Sequence, residues 1–182
     1  MAESRTIART TAHAAASSKF DWLLAAAEMA APATGGWPAR SGPATGWTGF
    51  PRVAVRTPGP GAAAIGAIRD FATATAVRWG AAGRGDDIAI VVSELVTNAF
   101  RHAIPACGYS GPGRGVRFGM LQCGPAILCA VVDPSPQVPA APAPERFAES
   151  GRGLQVVGAL SDDWGYATLS RPGKVVWAVF GG

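Results

Sequence analysis

"IAIVVSELVTNAFRHA", residues 88–103, is the stretch from which this chain is read. Ile88, Val91, Val92, Leu95, Ala99 and Ala103 recur every three or four residues, which predicts a helix with one apolar stripe. Glu94, Thr97, Asn98 and Arg101 fall on the opposite face at the same spacing. A solvated face of an amphipathic helix accounts for the acid. It does not account for Asn98, because Asn is a poor helix former and needs a reason to sit in mid-helix. A carboxylate and an amide one turn apart also make a pair of oxygen ligands, or of water-holders, for a hard cation such as Mg2+.

The pattern continues on both sides. Upstream, "RVAVRT" (52–57) alternates like a short strand and "PGPG" (58–61) breaks it. Ile65, Ile68, Ala72, Ala76 and Trp79 then predict a helix over residues 61–79. "GAAGRGDD" (80–87) reads as a loop whose Asp86 or Asp87 can cap the next helix. Downstream, "IPACGYSGPGRG" (104–115) reads as a Gly- and Pro-rich loop. "VRFGMLQC" (116–123) and the apolar run "AILCAVVD" (126–133) predict two strands, joined as a hairpin by a tight turn at Gly124-Pro125.

Five prolines fall between residues 134 and 144, which rules out a regular element there. A loop of about 15 residues inside a compact domain is uncommon and usually functional. "GRGLQVVGAL" (151–160) is a Gly-rich turn leading into a helix. "DDWGYATLS" (162–170) and "GKVVWAVF" (173–180) are two closing strands, with a turn at Arg171-Pro172-Gly173. Antiparallel strands with helices packed on one face define an α+β, two-layer sandwich.

Composition narrows the function classes. The chain has 182 residues, 48% of them hydrophobic, enough for one domain with a sizeable core. No run of 18 apolar residues exists, so no membrane span is expected, and the N-terminus does not read as a signal peptide. The expected location is cytoplasmic. Three cysteines without a CxxC pair and two distant histidines argue against a zinc site or a disulfide framework. The net charge is +4, but the 14 arginines are scattered and form no basic cluster, so nucleic acid is not the expected partner. Residues 1–50 are rich in Ala, Ser, Thr, Gly and Pro and read as a flexible extension with a short helix around Phe20 to Ala30. Trp22, Trp37 and Trp47 are unusual in a linker and suggest that parts of it dock on the domain or on a partner. Residues 51–182 are the domain.

Two further features carry chemistry. Asp133 ends an apolar strand, where a carboxylate is either a cap on the following turn or a hook for a ligand. Its acceptor-only oxygens would suit an exocyclic amine such as that of adenine. Gly151 and Gly153 open a helix with Arg152 between them. Glycines let backbone approach a ligand closely, and helix N-terminal N–H groups bind phosphate. Walker A and Rossmann motifs are absent from the sequence, as are the protein-kinase His-Arg-Asp and Asp-Phe-Gly motifs.

The order of these signals resembles that of the GHKL (Bergerat-fold) ATPases. "ELVTNAFRHA" is similar to their N box, "VVDPSPQVP" to the first glycine box and "ESGRGLQVV" to the second. With "DDWG" and "GKVVWAVF", the set resembles the anti-sigma-factor serine/threonine kinases of actinobacterial type over residues 52–181. The resemblance implies ATP and Mg2+ as cofactors. It makes Asn98 the residue that holds the metal on the triphosphate, and Glu94 the general base or the residue that positions the attacking hydroxyl or water. It gives Asp133 the adenine amine, and Gly151, Arg152 and Gly153 the phosphates. The proline-rich stretch becomes a lid. It further implies transfer of the γ-phosphate to a partner regulatory protein, an anti-sigma antagonist or a sigma factor, and a homodimer. A nucleotide-dependent interaction module without turnover is the alternative. One departure stands out: the usual Asp-x-Gly of the first box is Asp133-Pro134-Ser135 here, so the glycine is gone and Pro134 stiffens the turn.

Overall fold

The computed structural model describes residues 9–11, 20–30, 52–59, 63–107, 115–135, 137, 152–169 and 173–181, and the side chains within these ranges except at 9–11, 102–107 and 152. In chain order the elements are β1 (Arg9–Thr11), α1 (Asp21–Ala30), β2 (Arg52–Arg56), α2 (Ala63–Arg78) and α3 (Gly85–Cys107). They continue as β3 (Arg117–Cys123), β4 (Ala126–Asp133), α4 (Arg152–Leu160), β5 (Asp163–Thr168) and β6 (Lys174–Phe180). The strands form one sheet in the order β1-β5-β6-β4-β3-β2. β1 runs parallel to β5, and every other neighbouring pair is antiparallel. The α+β class is as expected, but the helices are not confined to one face: α2, α3 and α4 pack on one side of the sheet and α1 on the other.

Strand periodicity sorts the side chains of the central strands onto two faces. Phe118, Met120, Ile127, Cys129, Val131, Val176, Ala178 and Phe180 join the apolar stripes of α2, α3 and α4 in one core. The intervening Leu121, Leu128, Ala130, Val132, Val175, Trp177 and Val179 face the other way. Both faces of β4 and β6 are therefore buried, which is why these strands read as continuous apolar runs. The hairpin between β3 and β4 turns in two residues, with Gly124 at φ 59°. Pro125 cannot follow it into positive φ, so the turn is of the type II′ kind that suits twisted strands.

The second face of the sheet is covered by α1. Trp22, Leu23, Ala26, Ala27 and Ala30 pack on it. The helix sits close because β3 carries no side chain beneath it. A Cβ on Gly119 would stand 2.8 Å from the Trp22 ring and 3.1 Å from Leu23 Cδ2. The Arg117 guanidinium stacks on the same ring at 5.4 Å from its centroid. The short helix expected near Phe20 to Ala30 thus forms, and it belongs to the core. Residues 9–11 and 21–30, part of the stretch expected to be a flexible extension, are an edge strand and a packed helix. Trp37 and Trp47 lie outside the described residues.

Two local expectations are corrected. α3 does not stop at Ala103 but runs through Pro105 to Cys107. A proline removes one helical N–H, and the helix ends two residues later. Asp86 and Asp87 are not caps but lie inside the first turn, where acids favour the helix dipole. Arg84, just before α3, donates to Asp87 Oδ2 at 3.0 Å and to both Asp162 oxygens at 3.2 Å, tying the start of α3 to the start of β5. Among the described residues no helix is long and apolar enough to cross a membrane.

Candidate functional site

The site is built where α3 crosses the N-terminal end of α4. The apolar stripe of α3 is buried as the spacing predicts at Ile88, Val91, Val92, Leu95 and Ala99; Val96 joins them in the core, and the side chain of Ala103 lies outside the described residues. Fixing that stripe fixes the opposite face. Glu94 and Asn98, one turn apart, are half-buried there, and Arg101 is exposed. Their side chains converge on the second residue of α4, Gly153. A Cβ at that position would lie 2.6 Å from Glu94 Oε2, 3.3 Å from Asn98 Nδ2 and 3.6 Å from Asn98 Oδ1. At such a distance to Oε2 something must shift, and what would shift is the end of the flexible Glu94 side chain, so it is glycine at 153 that lets the carboxylate keep this position.

The arrangement has a definite chemistry. The first N–H groups of α4 have no partner within their own helix, and the dipole leaves partial positive charge there. That end of α4 faces a carboxylate and an amide on α3. Donors for phosphate, an amide oxygen and a basic oxygen are thus brought to one place. No cluster of three or more His, Cys, Asp or Glu exists among the described residues. A cation here would be held largely by the ligand's own oxygens, as Mg2+ is on triphosphates.

Asp133 lies on the same side of the sheet. Cys129 and Val131 point toward α3, so two-residue alternation puts Asp133 there as well. Its position at the end of β4 is as expected, but its surroundings were not foreseen. The side chain is buried, and Lys174 Nζ donates to its Oδ1 at 2.9 Å. The backbone N–H of Ser135 donates to the same oxygen at 2.8 Å, closing an Asx turn over Pro134. Ser135 Oγ in turn accepts from the N–H of Gln137 at 3.2 Å. Asp133 is therefore both a turn cap and a member of a buried ion pair.

Of the residues singled out in the sequence, the structure brings together Glu94, Asn98 and Gly153. It places Asp133 on the same side of the sheet with partners of its own. Arg152 opens α4, and its side chain is not described; Gly151 and most of the expected lid, 136 and 138–149, lie outside the described residues. Lys174 was missed. The available signal was a lone lysine opening the apolar run "KVVWAVF", where a charge needs a partner.

Comparison with protein families fits this geometry. Residues 60–180 match the histidine kinase-like ATPase domain, a span that includes α2 to β6 and every site residue above. The chain belongs to this family, and membership implies that it binds ATP. Comparison with curated proteins found no match.

Proposed function

We propose that the chain is an ATP-dependent regulatory protein that transfers the γ-phosphate of ATP to a serine or threonine of a partner regulatory protein, in the manner of the anti-sigma-factor kinases it resembles. The observation that carries this reading is the convergence of Glu94 and Asn98 on Gly153 at the N-terminus of α4. A pocket that only holds nucleotide has no need of a carboxylate where the terminal phosphate would lie.

In this reading the α4 N–H groups and Arg152 orient the phosphates. Asn98 would supply one oxygen to a Mg2+ bound with the phosphates, and that metal would neutralise charge developing there. Glu94 accepts the proton of the attacking hydroxyl. Phosphoryl transfer is mostly positioning and charge neutralisation, so one base and one metal ligand form a sufficient protein contribution. Asp133 accepts the adenine amine. Partner choice and homodimerisation follow from the resemblance; with action in the cytoplasm, they stand as proposals.

A second reading has an observation of its own. The first box is Asp133-Pro134-Ser135, closed as an Asx turn, where the resemblance implies Asp-x-Gly, and that departure favours a binding module that changes partners with nucleotide and turns none over. Calorimetry with ATP, with and without Mg2+, on the wild type and Asn98→Ala tests the site. Mg2+-dependent binding that the variant loses supports it, and equal binding by both proteins removes Asn98 from the metal. Phosphate transfer to a partner hydroxyl, lost in Glu94→Gln, then separates kinase from binding module.

A further inference from the structure

The buried pair at the end of β4 has a consequence for which base the pocket accepts. Asp133 and Lys174 face each other across the β4–β6 ladder. They are 2% and 5% exposed, so both charges have left water. Burying a pair of charges is expensive, and a well-packed apolar pair often serves stability as well or better. The pair therefore calls for a reason other than stability. Its construction is also specific. Gly173, at φ 139°, brings the start of β6 against the turn after β4, and a Cβ there would stand 2.5 Å from the Asp133 carbonyl oxygen. The Lys174 ammonium then reaches Asp133 Oδ1 and also the Ser135 carbonyl oxygen, at 3.4 Å. Lys174 and the Ser135 N–H meet the same carboxylate oxygen, and two donors on one oxygen fix the plane of the carboxylate.

We propose that Lys174 is a positioning residue for base selectivity. By holding the Asp133 carboxylate in one orientation and compensating its charge, it makes Asp133 an acceptor for the exocyclic amine of adenine. This rests on the reading of Asp133 as the adenine contact. A carboxylate held as an acceptor attracts the 6-amino group of ATP and repels the 6-keto oxygen that inosine triphosphate carries in its place, the proton on N1 of the inosine base being the other difference between the two ligands. Without the lysine, the carboxylate loses this ammonium and one of the two donors that set its orientation, and its preference for the amine falls.

The test is calorimetric binding of Mg-ATP and Mg-inosine triphosphate to the full chain, the wild type beside Lys174→Met and Lys174→Arg, with a thermal melt of each. The wild type should prefer ATP by about tenfold or more, the scale of one hydrogen bond to a charged group. Lys174→Met should bring the two affinities within about threefold, mainly by weakening ATP, and Lys174→Arg should keep most of the preference. A merely structural lysine would lower the melting temperature and both affinities together, leaving the ratio where it was; that outcome overturns the proposal. Should the Met variant fail to fold, Lys174→Gln keeps an N–H donor without the charge, and its ratio must fall for the proposal to stand. A wild type that binds neither nucleotide overturns the adenine reading and this inference together. A wild type that prefers ATP, with every variant keeping that preference, overturns this inference alone.

Discussion

Gly153 in α4 leaves the space into which Glu94 of α3 projects, such that a methyl group at 153 would fall 2.6 Å from Glu94 Oε2. The clash would be with the far end of a flexible side chain, so the acid can swing away without disturbing the core. Alanine is also the better helix former by up to about 1 kcal/mol. Gly153→Ala should therefore melt no lower than the wild type, while phosphate transfer falls roughly a hundredfold, because an ångström of misplacement at the reacting group costs about that much. Differential scanning calorimetry and a radiolabelled transfer assay check the two halves. Loss of stability with full activity would mean that Gly153 serves packing rather than the site.

The two polar residues of α3 should separate by assay. Asn98→Ala removes the amide oxygen proposed for the metal and should weaken Mg-ATP at least tenfold, with little effect on ATP measured in chelator. Glu94→Gln keeps the shape and one acceptor oxygen but cannot take a proton. It should leave the ATP dissociation constant within about threefold and lower transfer by 10²- to 10⁴-fold, the range of general-base catalysis. Titration calorimetry and single-turnover transfer read these outcomes, and identical profiles for the two variants would contradict the division of roles.

How much of this was legible beforehand differed by element. The helices and strands of residues 52–180 follow from apolar periodicity, because one buried stripe or two buried faces leave a direct mark on residue order. Glu94 and Asn98 could be placed on one face of α3 for the same reason. Their meeting with Gly153 could not be derived from spacing, since it depends on how α4 crosses α3; the ordered motifs alone hinted at it. Lys174 was not found because ion pairs across a sheet depend on register, and nothing local marks which residue of β6 faces Asp133. α1 was seen as a helix, but its docking was not, because the slot that receives Trp22 is the absence of a side chain at Gly119, 97 positions away on β3.

That slot yields a stability prediction. Trp22 is buried between the sheet and the Arg117 guanidinium. Trp22→Ala should lower unfolding free energy by about 3 kcal/mol, as for large-to-small changes in cores. Gly119→Val should cost a comparable amount by driving α1 off the sheet. Urea unfolding followed by fluorescence measures both. Losses under about 0.5 kcal/mol, the size of ordinary surface substitutions, would show that α1 contributes little to holding the fold.

The two cysteines whose side chains are described offer a check on the core. Cys123 and Cys129 are free and buried, on opposite faces of the sheet. Burial pushes the Cys123 thiol from an ordinary 9.0 up to about 11, and burial raises that of Cys129 further. Only the thiolate reacts, so iodoacetamide at pH 8 should modify neither until the protein unfolds. The linkage has a sign. A thiol whose pKa is higher when folded favours the folded state while it is protonated, and this contribution is lost as the unfolded thiol ionises. Stability should then hold below pH 9 and decline as pH rises from about 9 toward 11, beyond any loss seen in a Cys123→Ala, Cys129→Ala double variant. Peptide mapping by mass spectrometry after native alkylation, with a pH series of urea midpoints, decides it. Rapid native labelling at either peptide would mean that its face of the sheet opens to solvent.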